Sequence, residues 1–274
     1  MGKIIACVNE KGGVAKTTTV KNLSVGLAKH GKRVLAIDLD PSANLTDSLG
    51  ISIDENTLTI LDCMEKAMYF EEVSSDYAVI HHEEGIDVIP STKEIPKKND
   101  LHKFETSIMS ADHREMVLQN ALSVYVDEYD YIFIDCPAGL GIYVSNALYC
   151  ADSIIIPVQP QFLGYGAMQN LLRKVAAIWR YNGTFKGNHK PEIMGILFTQ
   201  VKQNTNNDKD VMEAVNEITN VNKIKIFNTV IPNSVRFPES DGQQESIFKF
   251  APKSTAAAIY DQLVNEFLYM EEGE

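Results

Sequence analysis

Short apolar runs alternate with helical patterns along the chain. The runs cover residues 4–8, 34–37, 132–134, 154–156, 193–198 and 230–231. They are continuous rather than alternating, which is typical of strands that are buried on both faces of a parallel sheet. A further strand is predicted over residues 86–89, followed by a loop rich in charge and proline that extends to residue 103.

Between these runs, apolar residues recur at helical spacing. Val20, Leu23 and Leu27 predict a helix over residues 17–29, and Gly31 is expected to form its C-cap. Further helices are predicted near residues 57–68, 112–127, 163–181, 207–219 and 253–269. Repeated strand–helix units indicate an α/β fold, a doubly wound and mostly parallel sheet with helices on both faces. Because no repeat or linker interrupts the pattern, we expect a single domain over residues 1–274.

Composition supports a folded chain and excludes several classes. The 274 residues are 45% hydrophobic and 23% charged, so the chain is large and apolar enough to fold without a disulfide or metal. Its four cysteines form no CxxC pair, which argues against a zinc site. No apolar run approaches the roughly 18 residues of a membrane span, so we expect a cytoplasmic protein without a membrane partner.

The charge is unevenly distributed, although the net value is −12. Residues 1–37 carry 7 basic and 1 acidic side chains, whereas residues 38–87 carry 1 basic and 13 acidic ones. An acidic chain repels nucleic acid as a whole, so contact with DNA would require a local basic patch. We interpret the acidic block as a solvated face.

The most informative segment is residues 9–18, NEKGGVAKTT, which follows the first strand and opens the first helix. A Gly-rich turn there points backbone N–H groups into a concavity at the helix N-terminus, where phosphate binds. Lys16 is expected to reach the β- and γ-phosphates, and Thr17 to ligate Mg²⁺. The strict GxxxxGK[ST] pattern is not met, because Glu10 and Ala15 occupy its glycine positions. The alternative is an ordinary glycine turn with unrelated lysines.

Residues 11–18, KGGVAKTT, resemble the deviant Walker A box of the ParA/Soj partition ATPases, which are grouped with MinD. Residues 37–44, IDLDPSAN, are similar to that family's switch I motif, and residues 135–141, DCPAGLG, resemble its switch II motif. Residues 231–236, IPNSVR, resemble a segment beside the base, and residues 251–254, APKS, resemble the segment before the final helix. The resemblance covers essentially the whole chain and implies the P-loop NTPase fold of deviant Walker A type.

The resemblance implies a role for each site residue. The nucleotide-binding residues it implies are Lys11, Gly12, Gly13, Val14, Ala15, Lys16, Thr17, Thr18, Pro232 and Ser234. Thr17, Asp38 and Asp135 would hold Mg²⁺, with Asp135 as the Walker B aspartate. Lys16 would supply charge in cis, Asp40 would position the attacking water, and Lys11 would reach the partner's nucleotide across a dimer interface. Without the phosphate loop, Asp38 and Asp40 would be interpreted as a capped turn that ends in Pro41.

The implied function is ATP-dependent segregation of a plasmid or chromosome. The resemblance predicts ATP and Mg²⁺ as cofactors, an ATP-dependent homodimer, and slow hydrolysis that a ParB-like DNA-binding protein stimulates. It also predicts nucleoid association and non-specific double-stranded DNA binding, for which Arg236, Lys249 and Lys253 are the candidate residues. The larger plasmid relatives carry an N-terminal helix-turn-helix extension. We expect this chain to lack it and not to repress its own operon.

Two alternatives come from other classes. One is a ParA/MinD-like ATPase that positions a protein cargo without a DNA role, and the negative net charge favours it modestly. The other is a metabolic enzyme on the same scaffold, such as a synthetase or a cluster-carrying reductase, which the full set of partition-type motifs argues against. The acidic end, residues 270–274, argues against a MinD-type membrane helix.

Three residues depart from the family pattern. Ala15 replaces a glycine just before the catalytic lysine, and its methyl group is expected to weaken the closed dimer. Ser234 stands where an asparagine is common near adenine, so a direct contact there is expected to pass through water or be lost. Asn233 replaces an arginine and removes one positive charge from a region linked to DNA binding in relatives.

Overall fold

Seven strands form one sheet in the computed structural model, which describes residues 1–93, 101–185, 190–202 and 206–272. The strands are β1 (Lys3–Cys7), β2 (Val34–Asp38), β3 (Ile80–His81), β4 (Asp87–Ile89), β5 (Tyr131–Asp135), β6 (Ser153–Val158) and β7 (Glu192–Phe198). Their spatial order is β3-β4-β2-β5-β1-β6-β7. Strand β3 pairs antiparallel with β4, and the other neighbouring pairs are parallel. The predicted doubly wound, mostly parallel sheet is therefore confirmed.

Helices cover both faces of this sheet. They are α1 (Lys16–Lys29), α2 (Asn44–Ser48), α3 (Ile60–Met68), α4 (Leu101–Ser110), α5 (Val117–Leu122), α6 (Ile142–Cys150), α7 (Phe162–Phe185), α8 (Asn206–Asn222), α9 (Arg236–Gly242), α10 (Ile247–Phe250) and α11 (Thr255–Glu272). The six predicted helices correspond to α1, α3, α5, α7, α8 and α11, and Gly31 adopts the left-handed conformation expected of a C-cap (φ 79°). Across the described ranges, none of the helices is long and apolar enough to cross a membrane.

Two predicted elements differ from the structure. Residues 230–231 lie beside β7, where the Ile231 N–H donates to the carbonyl of Phe198 (2.9 Å), but they form no strand of the sheet. The run is too short to extend the pairing, and the next residue, Pro232, has no N–H to donate. The prediction of a loop up to residue 103 is wrong at its end, because α4 begins at Leu101. Residues 94–100 of the predicted loop lie outside the described part of the chain.

The core has two layers, one on each face of the sheet. In β1, Ile4 and Ala6 point into the layer shared with α3 and α5–α8, whereas Ile5 and Cys7 point into the layer shared with α1 and α9–α11. Every strand residue from Val34 to Asp38 is buried, as the continuous apolar runs predict. The central strands β2, β5 and β1 end side by side, so residues that follow them meet at one edge of the sheet.

Candidate nucleotide-binding site

The loop between β1 and α1 turns through two residues in the left-handed conformation. Gly13 has φ 72°, and Ala15, the residue before α1, has φ 63° and ψ 33°. This conformation destabilises a residue that has a Cβ atom by about 1 kcal/mol or more, whereas it does not destabilise glycine. Ala15, the departure from the family pattern, therefore lies where the backbone itself favours glycine.

Residues that follow two strands hold this loop in place. The Asn9 amide, just after β1, donates to a carbonyl of β6 (2.7 Å). Just after β7, Thr199 Oγ1 donates to the carbonyl of Val14 (3.0 Å), and Gln200 Nε2 donates to that of Gly13 (2.8 Å). Sequence reasoning missed Asn9, Thr199 and Gln200, although their place at the carboxyl ends of parallel strands is the signal that could have found them.

Lys16 begins α1 and is only 7% exposed. Its Nζ atom donates to the backbone carbonyls of Asn9 (3.4 Å) and Lys11 (3.3 Å), both inside the loop. These acceptors are neutral and the distances are long, so they hold the ammonium weakly within the concavity. A phosphate oxygen, which carries a charge, is a stronger acceptor for the same donor.

Two buried carboxylates face this loop. Asp38 in β2 and Asp135 in β5 are paired in register and fully buried. Asp38 accepts hydrogen bonds on both oxygens, from Thr46 N–H (2.8 Å), Thr46 Oγ1 (2.7 Å) and Asp40 N–H (3.2 Å). Asp135 Oδ2 accepts from Thr17 Oγ1 (2.6 Å), whereas its Oδ1 is buried without a hydrogen-bond partner among the described residues. An unsatisfied buried carboxylate oxygen beside a threonine hydroxyl suits Mg²⁺ or a water bound to it.

The electrostatics of this pair favour a cation. Burial raises the pKa of Asp38 to about 6, against the lowering effect of the hydrogen bonds from Thr46 and Asp40. Burial, and then the charge of Asp38, raise the pKa of Asp135 well above its usual value, while Thr17 and Lys16 oppose this shift. The two carboxyl groups therefore resist being ionised together, and a nearby divalent cation would relieve that cost.

A cavity of about 730 Å³ opens over the loop. The predicted residues that line it are Gly12, Gly13, Ala15, Lys16, Thr17, Thr18 and Asp40. Residues that sequence reasoning missed also line it, namely Asp241, Gly242 and Gln244 at and just beyond the end of α9, together with Gln200. Val14 is buried beneath the loop rather than exposed to the cavity.

Three predicted residues, Lys11, Pro232 and Ser234, are not among the described residues that line this cavity. Lys11 Nζ donates to Gln161 Oε1 (2.8 Å) and more weakly to Gln159 Oε1 (3.5 Å), within its own chain. Ser234 Oγ accepts from an N–H at the start of α9 (3.2 Å), and Pro232 forms an isolated bridge beside β7. Neither Pro232 nor Ser234 is among the described residues that line the cavity.

The three candidate DNA-binding residues differ in their surroundings. Arg236 and Lys253 line the same shallow pocket of about 380 Å³. Arg236 also forms an ion pair with Glu239 (3.1 Å). Lys249 pairs with Glu83 (2.5 Å) and with a glutamate four residues before it (3.1 Å), and these carboxylates raise the pKa of Lys249. Arg236 and Lys249 are thus largely neutralised.

These features define a class of protein. The first strand of a parallel sheet is connected to a helix by a glycine-rich loop that carries a lysine, and carboxylates lie at the ends of the adjacent strands. This arrangement is that of a P-loop nucleotide-binding protein.

Comparison with known proteins identifies the family. Residues 2–187 match the family model described as AAA domain. The sporulation initiation inhibitor protein Soj of Bacillus subtilis is 35% identical over 266 residues, which are 97% of this chain and 98% of Soj. The chromosome partitioning protein ParA of Myxococcus xanthus is 32% identical over 270 residues, which are 98% of this chain and 88% of that protein. The chain belongs to the Soj/ParA family of chromosome-partitioning ATPases.

The fold extends to enzymes with other chemistry. A crystal structure of cobyrinic acid a,c-diamide synthase from Mycobacterium smegmatis, with bound ADP and magnesium, superimposes with a TM-score of 0.78. It is 26% identical and covers 100% of this chain and 97% of that one. The fold alone therefore does not decide the function, whereas the full-length similarity to Soj and ParA supports partitioning.

Proposed function

We propose that this protein is an ATP-dependent DNA-partitioning ATPase. It binds MgATP, forms a nucleotide-sandwich dimer, attaches to double-stranded DNA without sequence preference, and hydrolyses ATP slowly until a ParB-like partner stimulates it. The observation that carries the proposal is the convergence of Lys16, Thr17, Asp40 and Asp135 at the phosphate loop of a Soj/ParA family member. The same proposal makes the protein cytoplasmic and nucleoid-associated in its ATP-bound state.

The residues of the loop are suited to MgATP. Lys16 and the backbone N–H groups at the start of α1 bind the β- and γ-phosphates. Thr17 and Asp135 hold Mg²⁺, and Asp38 is placed beside them by the strand register. The described residues contain no group of three or more His, Cys, Asp or Glu side chains that would hold a metal ion unaided, so phosphate and water supply the remaining ligands. When held there by Thr17 and Asp135, Mg²⁺ would supply positive charge that offsets the charge of the phosphates.

Asp40 and Lys11 are the residues proposed to act in hydrolysis. Asp40 lines the cavity, and its Oδ1 accepts from the Ser42 N–H (2.8 Å), which orients the carboxylate for holding a water. Lys11 contacts two neutral amides in its own chain, at Gln159 and Gln161. One contact is long and the other is exposed to solvent, and both acceptors are uncharged, so Lys11 can leave them for the charged phosphates of a partner subunit's nucleotide.

A second candidate function is the positioning of a protein cargo without DNA. The net charge of −12, the Arg236–Glu239 pair and the two carboxylates on Lys249 favour it. In the partitioning proposal, Arg236 and Lys253 line one pocket and would supply phosphate contacts on the dimer. Binding through such contacts weakens steeply as salt rises. DNA binding therefore separates the two functions.

The experiment has two stages. Calorimetry should show MgATP binding that Lys16→Ala weakens at least about tenfold, and unchanged affinity would overturn the nucleotide site. Filter binding at low salt should then show DNA retention only with ATP, weaker for Arg236→Glu and unchanged for the control Lys66→Glu. Lys66, on α3, is a comparable surface residue, because it also forms an ion pair with a glutamate, Glu71. Without ATP-dependent retention, the cargo-positioning function replaces the partitioning one.

A further inference from the structure

The segment between Asp152 and Glu192 has a charge opposite to that of the whole protein. It contains five lysine and arginine residues and no aspartate or glutamate, although the net charge of the chain is −12. Three of the five basic residues belong to α7, whose 24-residue sequence contains no acidic residue. A local basic surface is what an acidic protein needs in order to bind nucleic acid.

Helix α7 has an apolar face and an exposed, positively charged face. The residues that pack into the core are Met168, Leu171, Val175 and Ile178. On the opposite face, Asn170, Arg173, Ala177 and Arg180 are exposed, and we call these four residues the α7 stripe. Arg173 and Arg180 are two helical turns apart, which places them about 10 Å from each other along the helix axis. Both charges on the stripe are positive.

Arg173 differs from two of the predicted DNA-binding residues in its partners. Its Nη1 atom donates to Asn170 Oδ1 (3.2 Å), which is a neutral acceptor. Across the described ranges, no carboxylate forms an ion pair with Arg173. Arg236 and Lys249 are each paired with a carboxylate instead. A phosphate can therefore bind the Arg173 guanidinium without displacing a carboxylate.

The stripe begins beside the phosphate loop. Asn170 Nδ2 donates to Glu10 Oε2 (2.9 Å), and Glu10 directly precedes Lys11 in that loop. The ATP-dependent dimer of the proposed function carries two copies of the stripe on one particle. Two linked sites that reach the same DNA bind it more tightly than one site does. The stripe therefore gives DNA binding a physical reason to depend on ATP.

We propose that the α7 stripe binds the phosphates of double-stranded DNA through Arg173 and Arg180, in addition to the candidate residues predicted from the sequence. This inference rests on the proposed function, because it assigns a surface to the DNA binding of the same dimer. A guanidinium group donates two parallel hydrogen bonds to a phosphate. Phosphate contacts carry no sequence information, which agrees with binding that has no sequence preference. The neighbouring α8 exposes the carboxylates of Asp210 and Glu213, so the contact is confined to α7.

The test measures how DNA binding depends on salt. Filter binding is run with a non-hydrolysable ATP analogue over a range of salt concentrations, on two unrelated duplexes of equal length. Arg173→Gln removes one charge from each subunit and should weaken binding at low salt by at least about tenfold on both duplexes. The slope of log K against log salt should become shallower by about 2 per dimer, since each phosphate contact contributes about 0.9. Arg180→Gln should give the same change.

Two further variants separate the charge from the rest of the side chain. Arg173→Lys keeps the charge and should keep the salt slope of wild type. Lys66→Gln removes one positive charge from α3, outside the stripe, and should also match wild type. Because Arg173 and Arg180 are exposed, every variant should bind MgATP within about twofold of wild type.

Several results would overturn the inference. If Arg173→Gln and Arg180→Gln both match wild type, the stripe does not contact DNA, and an equal loss in Lys66→Gln would show an effect of net charge alone. If polyglutamate of equal charge displaces the DNA as readily as unlabelled duplex does, the stripe is a surface for an acidic protein instead. If wild type itself shows no ATP-dependent DNA binding, the DNA part of the proposed function fails, and this inference fails with it.

Discussion

Two adjacent buried carboxylates without a cation should make the ligand-free protein less stable than it could be. Asp135→Asn removes one of the two charges, keeps the side-chain size, and leaves an oxygen to accept the Thr17 hydroxyl. We expect this variant to be more stable than wild type when no ligand is present. The reason is that burial destabilises the ionised carboxylate of Asp135, and the charge of Asp38 destabilises it further.

The size of the effect is judged from the burial of the two carboxyl groups. The pKa of Asp38 rises from 3.8 to about 6, and each unit corresponds to about 1.4 kcal/mol, so ionised Asp38 costs about 3 kcal/mol at neutral pH. Asp135 is shifted in the same direction by its own burial and by Asp38. Neutralising Asp135, whose Oδ1 is buried without a hydrogen-bond partner among the described residues, should therefore stabilise the fold by about 1–3 kcal/mol, the usual cost of an unsatisfied buried polar group. Each kcal/mol raises Tm by roughly 2–4 °C in a chain near this size.

The pH dependence has a definite sign. A carboxyl group with a raised pKa keeps its proton in the folded state at pH values where the unfolded chain has released it. Stability from Asp38 and Asp135 is therefore present at low pH and lost as pH rises from about 4 through the folded pKa, which for Asp38 is about 6. The Asp135→Asn variant should lose less stability than wild type over this interval.

Urea denaturation of the ligand-free protein between pH 5 and 8 checks this prediction. The control is Asp130→Asn, because the pKa of Asp130 is lowered by its hydrogen bonds with Arg33, so its removal should not stabilise the fold. In calorimetry, Asp135→Asn should also lose Mg²⁺-dependent nucleotide binding. If this variant is no more stable than wild type at pH 7.5, the buried pair does not carry the cost that we assign to it.

Two further predictions concern turnover and the dimer. Asp40→Ala should keep MgATP affinity nearly intact but slow hydrolysis, so that the dimer accumulates with ATP on a sizing column; wild-type turnover would remove Asp40 from the mechanism. Ala15→Gly should relieve the left-handed strain at φ 63°. Glycine also gives the unfolded chain more conformational entropy, which offsets part of this gain, so the net rise in stability should be about 0.5 kcal/mol. The variant should also tighten the ATP-dependent dimer while ATP affinity stays within a few-fold. Analytical ultracentrifugation with a non-hydrolysable analogue tests this, and an equal or weaker dimer would show that the loop accommodates alanine.

The long elements of the fold were predictable because their patterns are local. The central strands are continuous apolar runs, and α1, α7, α8 and α11 are long enough to show helical spacing. The helices that were not predicted are α2, α4, α6, α9 and α10. Of these, α2, α9 and α10 have five, seven and four residues, too few for a period to show. The longer α4 and α6, with ten and nine residues, were missed as well. In addition, α2 is held by the Asp38 carboxylate, which accepts from Thr46 eight residues away in sequence. Such a helix is fixed by a tertiary contact that local propensity does not contain.

The residues of the candidate site also divide into those that the sequence predicts and those that only tertiary packing brings together. The phosphate loop and the carboxylates of Asp38, Asp40 and Asp135 follow strands directly, so the position of the strands in a parallel sheet predicts that they meet. The cavity wall at Asp241 depends on a tertiary contact instead, because the buried Lys21 ammonium on α1 donates to Asp241 on α9, 220 residues away in sequence. Pro232 and Ser234 precede α9 and are not among the described residues that line the cavity, so their contact with the base stays a prediction.

Lysines hold two parts of the cavity lining through contacts of different strength. At the phosphate end, Lys16 is held by backbone carbonyls and Lys11 by side-chain amides, all of them neutral acceptors. Charge-assisted bonds are about twice as strong as neutral ones, so phosphates displace these acceptors readily. At the wall that Asp241 lines, the buried Lys21 ammonium is paired with the Asp241 carboxylate, and breaking such a pair leaves an uncompensated charge. We therefore expect nucleotide binding to exchange contacts around the lysines of the loop and to leave the Lys21–Asp241 pair in place.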